Sequence, residues 1–223
     1  MIKETYHVYK RGNFIDRLTL KMRQKMLTLF SSEFPANTFA NVLDVGVSAD
    51  SNDDATNYFE KYFPVKSKII ALSNQNAEFL EDIYPGLKFM LGDAKQLPFA
   101  NDSMDVVFSS AVLEHVGSLQ NQKQMIAECF RVAKKGVFLT TSNRWHPIDI
   151  HTLLPVLHWL PKKLHRFLLT LFGYHYFANE ENLNLLDKKT LEDSCRELGI
   201  RDFSLRQIKT FGVTSNLVLV IRK

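Results

Sequence analysis

Two short segments place polar residues where apolar runs end. In VLDVG, Asp44 lies within the end of the run and Gly46 opens the turn. In LKFML followed by Gly92-Asp93-Ala94, an acid stands directly past a second run. A glycine at such a turn lets backbone approach a ligand without a Cβ clash. A carboxylate at a strand end can accept from an exocyclic amine. His115, in AVLEHV, falls just past a further apolar run, and His146 and His151 follow in a stretch rich in Trp, His and Phe. Imidazoles so placed are candidate proton acceptors. Cys129 and Cys195 form no CxxC pair and have no histidines spaced around them. Neither a disulfide framework nor a metal ligand set is expected.

The elements that must hold these residues alternate along the chain. Residues 14–30 have apolar positions at roughly helical spacing. NVLDVG reads as a buried strand, and Asp54 can cap a helix running through Phe63, stopped by Pro64. Lys68–Ser73 is a second strand, residues 76–83 a short helix, residues 87–91 a third strand, and MDVVFSS a fourth. Residues 120–134 read as a helix and GVFLTTS as a fifth strand. The strands are apolar without alternation, as in a parallel sheet covered on both faces. Strands separated by helices imply right-handed crossovers. A helix begins at Asp187 and stops at Gly199, and residues 202–210 and 215–222 pair as a hairpin.

With 223 residues, 45% hydrophobic and 23% charged, the chain has the composition of one folded domain. Disordered, collagen-like and coiled-coil classes are excluded. No apolar run of eighteen residues and no secretory leader is seen, so a cytoplasmic location is expected. The net charge of +4 is uneven. Residues 1–30 hold seven Lys/Arg and two acids, residues 41–110 five Lys/Arg and eleven acids. Residues 150–179 hold three Lys/Arg, four of the seven histidines and no acid. Such asymmetry suits an anionic partner or a solvated helix face.

VLDVG, GDAKQLPF, NDSMDVVFSS, AVLEHV, IAECFRVAKKG and VFLTT, in this order, resemble the class I S-adenosylmethionine-dependent methyltransferases of the broad type-11 group. The resemblance covers about residues 40–145. The following stretch, NRWHPIDIHTLLPVLHWLPKKLHRFLLTLFG, resembles small bacterial methyltransferases associated with cell-surface polysaccharide genes. It implies a three-layer, Rossmann-like α/β fold with a seven-stranded sheet, mostly parallel with an antiparallel last strand. Residues 1–223 would be one methyltransferase domain, with an N-terminal helical segment at 1–38 and an inserted helical cap at 145–186.

By the same resemblance, Asp44, Gly46 and Ser48 would lie at the methionine and ribose side of S-adenosyl-L-methionine. Ser73 and Gln75 would meet the ribose, Asp93 and Ala94 the adenine, and Ser109 and Ser110 the methionine moiety. Leu113, Glu114 and His115 would face the methyl-transfer side. Two departures stand out. The family turn GxGxG has Ser48 and Asp50 at its second and third glycine positions. The second strand ends in Leu72-Ser73-Asn74-Gln75, without the usual ribose-binding acid, so weaker cofactor affinity is expected unless Asp50, Asp53 or Asp54 supplies one.

The expected reaction is methyl transfer to a hydroxyl or amine of a small molecule or glycan intermediate. His115 is the first candidate base and His146 the next. Asn143, Arg144 and His151 are expected to border the acceptor. The competing reading is a catalytically silent cofactor-binding or interaction module on the same fold. In residues 162–172, apolar residues share one helical face and Lys162, Lys163 and Arg166 the other. That pattern suits a lid packed over the pocket, or a segment meeting the inner membrane face or a lipid-linked substrate. Nucleic acid is disfavoured, since no recognition signature is found.

Overall fold

The computed structural model describes residues 13–50 and 56–223, with side chains from Arg17 onward. Seven strands form one sheet in the order β3-β2-β1-β4-β5-β7-β6. They are β1 (Val42–Val45), β2 (Ile69–Ser73), β3 (Lys88–Leu91), β4 (Met104–Ser110), β5 (Ala133–Ser142), β6 (Phe203–Thr210) and β7 (Val213–Arg222). β1 to β5 pair in parallel, and β7 runs antiparallel to both β5 and β6. This is the three-layer, mostly parallel sheet expected from the alternating strands and helices.

Both sheet faces are buried, and neighbouring strand residues divide between them. Val42, Val106, Phe108 and Phe138 enter one core. Leu43, Val107, Val137 and Leu139 enter the other. This explains apolar runs without alternation. β3 departs from the expectation: it is an edge strand, and Leu91 is 62% exposed.

The first core is covered by α1 (Asn13–Glu33), α2 (Tyr58–Tyr62) and α3 (Phe79–Ile83). Phe30 on α1 is fully buried and meets Phe59, Phe108 and Phe138 edge-on at 5.2–5.4 Å. Edge-to-face packing matches ring-edge positive charge to ring-face negative charge. α4 (Leu119–Val132) and α7 (Lys188–Glu197) cover the other face. Ser118 caps α4 by accepting from the Asn121 amide, and Asp187 caps α7 by accepting from the Thr190 amide.

Element ends differ from expectation in several places, among them α2, α3 and α4. Asn57 is left-handed at φ 52°, so α2 begins at Tyr58. Residues 51–55, which include the expected cap Asp54, lie outside the described set. α3 starts only at Phe79, because Asn76 Oδ1 accepts from the Glu78 amide in a preceding turn. α4 ends at Val132, and Ala133 is already extended within β5.

Within the stretch expected as a cap lie a 3-10 turn (Leu157–Trp159), α5 (Lys162–Leu171) and α6 (His175–Ala178). Leu169, Phe177, Leu183 and Leu185 give it a small core of its own. Asn184 ties it to the sheet: its amide donates to the Glu114 carbonyl (2.7 Å), its side chain to the Gly117 carbonyl (2.8 Å). Lys162 Nζ donates to Asn184 Oδ1 at 2.6 Å. Among the described residues, no helix is long and apolar enough to cross a membrane.

Candidate active site

A cavity of about 1300 Å³ opens at the carboxyl ends of the parallel strands, between α1, the β1–α2 loop and the cap. This is where an open α/β sheet places its ligands. At its floor, Gly46 sits at φ +95°, and its amide donates to the Leu72 carbonyl at 2.7 Å. A Cβ there would come within 2.2 Å of a Val112 methyl carbon. Only glycine fits, because both the backbone conformation and the space forbid a side chain.

The loop manages without the two further glycines by side-chain bonding. Asn57 Oδ1 accepts from the Ser48 amide (2.8 Å), and Asn57 Nδ2 donates to the Ser48 carbonyl (3.0 Å). Ser48 Oγ accepts from the Asp50 amide (3.0 Å). Asn57, left-handed itself, holds the Ser48 end of the loop by these two bonds.

An acid that the sequence pattern did not single out joins the wall. Glu60, on the first turn of α2, is 1% exposed and lies beside Asp44. Burial is the main cause raising the pKa of both carboxyls; for Asp44, repulsion from Glu60 and their mutual hydrogen bond add to it. The pair therefore shares a proton more readily than two solvated acids would. Among the described residues, Glu60 Oε1 has no hydrogen-bond partner. A buried, unpartnered carboxyl oxygen beside a second carboxyl on a cavity wall calls for a cationic or donor-bearing ligand.

Asp93 lies on the same wall, its side chain about half exposed. Oδ1 accepts from the Lys95 amide at 2.8 Å, and Oδ2 pairs with Lys95 Nζ at 3.0 Å. Although partial burial opposes it, these bonds hold its pKa below the usual carboxylate range, keeping it an acceptor. Ser48, Ser73, Gln75, Ala94 and Ser110 also face the cavity. Ser73 Oγ accepts from the Gln75 amide (3.3 Å). Asp50 lines the cavity, while Asp53 and Asp54 lie outside the described residues.

Ser109 is a correction. The alternation of β4 turns it away from the cavity wall, and its hydroxyl donates to the Val45 carbonyl at 2.6 Å. Its neighbour Ser110 faces the cavity and bonds Tyr58 (3.2 Å) and Thr140 (3.0 Å). Arg144 is a second correction. It donates to the His158 and Leu160 carbonyls at 3.3 and 3.0 Å and stacks on Trp145, bracing the cap outside the cavity.

Asn143, His146 and His151 lie on the cap side of the cavity with His115. Asn143 Nδ2 donates to the Thr214 carbonyl at 2.9 Å. His146 Nδ1 lies 2.8 Å from the Ile148 carbonyl. His115 follows β4 through Ala111, left-handed at φ 56°, and a 3-10 turn (Leu113–His115). Burial lowers the His115 pKa to about 4, so its ring is neutral at pH 7. Both thiols are buried and pushed up to about 12, which removes Cys129 and Cys195 as nucleophiles at neutral pH.

The apolar face of α5 does not pack over the cavity. None of Leu164, Phe167, Leu171 or Phe172 lines it, and the last three are 63%, 66% and 56% exposed. The lid expectation for this face is therefore overturned.

Residues 43–141 match the family model described as a methyltransferase domain. A "probable S-adenosylmethionine-dependent methyltransferase" of Mycolicibacterium smegmatis is 43% identical over 63 residues, 27% of this chain. That match spans 23% of the relative's length. Among solved structures, a possible histamine N-methyltransferase from Thermotoga maritima aligns with a TM-score of 0.57 at 17% identity, covering 95% of both chains. A putative methyltransferase from Haloferax volcanii, in complex with its activator Trm112, gives 0.60 at 12% identity, covering 93% of this chain and 92% of that one. Phosphoethanolamine N-methyltransferase 2 of Haemonchus contortus, bound to S-adenosyl-L-methionine, gives 0.59 at 13% identity over 90% of this chain and 52% of that one. The sheet and these matches give the chain the fold of methyltransferase structures, with a central segment similar to a methyltransferase domain. The matched segment runs from β1 to β5 and builds the cavity floor.

The residues fit the cofactor. Its ammonium and sulfonium are cationic, and the Asp44–Glu60 pair offers carboxyl oxygens, one of them unpartnered. Its adenine amine is a donor, and Asp93 is an ionised acceptor. Exchanging Glu60 for Gln is expected to weaken S-adenosylmethionine binding about tenfold by calorimetry. The same exchange should stabilise the cofactor-free protein at pH 8 by about 1 kcal/mol, roughly 2–4 °C in Tm. The sign follows from the raised pKa values. The folded state binds more protons than the unfolded one, so stability falls as pH rises from the ordinary carboxylate range through the raised values. Glu60→Gln should flatten that fall in thermal melts between pH 4 and 8.

Proposed function

We propose that the chain transfers a methyl group from S-adenosyl-L-methionine to a hydroxyl or amine of a small molecule or glycan intermediate held beneath the cap. The observation that carries this reading is the single cavity wall joining two chemistries. Asp44, Glu60 and Asp93 stand at one end, and His115, His146 and His151 at the other. The cofactor supplies an activated methyl group. Asp44 and Glu60 would hold its cationic end, and Asp93 its adenine. The histidine end would orient the acceptor and receive its proton, and the cap would exclude water. The polysaccharide association rests on the likeness of residues 143–173 to small bacterial methyltransferases.

Calorimetry with S-adenosyl-L-methionine is the first test, with one site per chain expected. No heat at all removes the methyl-transfer reading and favours a silent interaction module, while binding without turnover on any hydroxyl or amine acceptor favours a silent cofactor-binding one. Asp93→Ala is expected to weaken binding by about 1 kcal/mol, the low end for a lost acceptor, because the carboxylate is half exposed and shared with Lys95. Unchanged affinity in a folded Asp93→Ala protein takes Asp93 out of the site.

A second reading concerns where the acceptor resides. The exposed Phe167, Leu171 and Phe172, with no acid in residues 150–179, suit the surface of an anionic membrane. Flotation with anionic vesicles at low salt should carry the protein upward, and Phe167→Ser with Leu171→Ser should leave it at the bottom. Absence of flotation by the wild-type protein ends this reading.

A further inference from the structure

Glu114, His115 and His151 stand where the cap meets the sheet. A carboxylate oxygen and one ring nitrogen from each histidine all lie within 4.8 Å of one another. Donors held about 2.1 Å from one ion in a tetrahedral array are about 3.4 Å apart, so the widest spacing needs to close by up to about 1.4 Å. The rings of His115 and His151 meet at 5.0 Å and 76°.

Each of the three is held from behind. His115 Nδ1 lies 2.6 Å from the Asn182 carbonyl, and His151 Nδ1 lies 2.8 Å from Asp149 Oδ1. An oxygen acceptor at Nδ1 places the proton there in both rings, so Nε2 is the nitrogen that would serve as ligand. Asp149 is fixed in turn by the Thr152 hydroxyl at 2.8 Å and the His151 amide at 3.0 Å. Glu114, fully buried, accepts from the Thr141 hydroxyl at 2.7 Å and the Ser142 amide at 3.1 Å. Histidines backed by a carbonyl and a carboxylate, beside a hydrogen-bonded acid, reproduce the supporting shell by which proteins orient metal ligands. Among the described residues, the donors to Glu114 and Asp149 are hydroxyls, backbone amides and a histidine ring, and burying two carboxylates without a fixed cation is costly.

We propose that Glu114, His115 and His151 form a binding site for one divalent transition-metal ion, of the kind that zinc or cobalt would fill. Two imidazoles and one carboxylate match the hardness of such ions and leave coordination positions open. His115 and His151 both line the cavity, so an open position can face the acceptor. An acceptor hydroxyl bound there loses its proton more easily. In the transfer step the C–S bond to the methyl carbon breaks as the O–C bond forms. The hydroxyl proton passes to His146 or to water. This role rests on the methyl-transfer reading; the metal site does not.

The test uses the full chain, stripped with EDTA and titrated with Co²⁺ by visible absorption and with Zn²⁺ by calorimetry. One equivalent is expected to bind, with cobalt bands of a nitrogen- and oxygen-ligated ion. His151→Ala and His115→Ala should each lose at least a hundredfold in affinity, and Asp149→Asn about ten- to a hundredfold. S-adenosylmethionine binding, measured on the same samples, should stay within about twofold and reports that each variant is folded. No uptake by the wild-type protein overturns the proposal without any variant. So does uptake that survives His151→Ala, which would mark adventitious surface binding. Metal uptake without cofactor binding would leave this site standing and sink the methyl-transfer reading.

Discussion

Deleting residues 150–178 and joining the ends with a short Gly-Ser linker is expected to abolish methyl transfer while leaving S-adenosylmethionine binding within about threefold. The deleted segment supplies His151 to the cavity, together with Leu169 and Phe177 of the cap core. Asp44, Glu60 and Asp93 all lie outside it. An unhoused acceptor would lose its alignment with the methyl group, an effect worth several orders of magnitude in rate. Calorimetry establishes cofactor binding, and an isotope-transfer assay with the acceptor establishes turnover. A folded deletion protein that still methylates would mean the cap does not house the acceptor. Because Leu183 and Leu185 would be uncovered, Phe177→Ser in the intact chain is the milder companion. It should loosen the cap and reduce turnover with the sheet intact.

The largest effect on stability is expected at Phe30. Phe30→Ala should cost about 3–5 kcal/mol, read from denaturant midpoints. The ring is fully buried, and five rings meet it edge-on within 6.2 Å, those of Phe39, Phe59, Phe63, Phe108 and Phe138. The cavity left behind would have walls drawn from α1, α2, β4 and β5, which cannot collapse together without disturbing the sheet. A loss under about 1 kcal/mol would show that α1 packs more loosely than these distances describe. Since α1 also supplies Met22, Arg23 and Met26 to the cavity wall, the variant should weaken cofactor binding as well.

The parallel half of the sheet is legible in the sequence because each strand there is a short apolar run closed by a turn signal. MDVVFSS gives β4 with its observed bounds. β3 looks the same in sequence and is an exposed edge, since a run of apolar residues does not say which neighbours it acquires. Around the cavity, Asp44, Gly46 and Asp93 are visible through their place at strand ends. Glu60 is hidden because it reaches Asp44 only through the left-handed Asn57 and the turn of α2. Ser109 and Ser110 are equivalent in composition, and strand alternation alone decides which faces the cavity. Arg144 reads as an anion-binding residue until its carbonyl partners are seen. Asp149 and His151 meet within an irregular loop, and Glu114 and His115 come from another segment altogether, so no spacing rule announces the cluster.

Asn184 joins the cap to the turn that carries Glu114, and Gln122 strengthens the joint by donating to the Leu113 and Asn184 carbonyls at 3.0 and 2.7 Å. A ligand that orders one side of this joint orders the other. Affinities on its two sides are then bound by reciprocity: whatever factor the cofactor adds to acceptor binding, the acceptor must add to cofactor binding. Asn184→Ala removes the side-chain arm of the joint, to the Gly117 carbonyl and from Lys162, and keeps its backbone bonds, so it should lower that factor rather than abolish it. The protein would keep both affinities in isolation and lose part of the factor by which each raises the other.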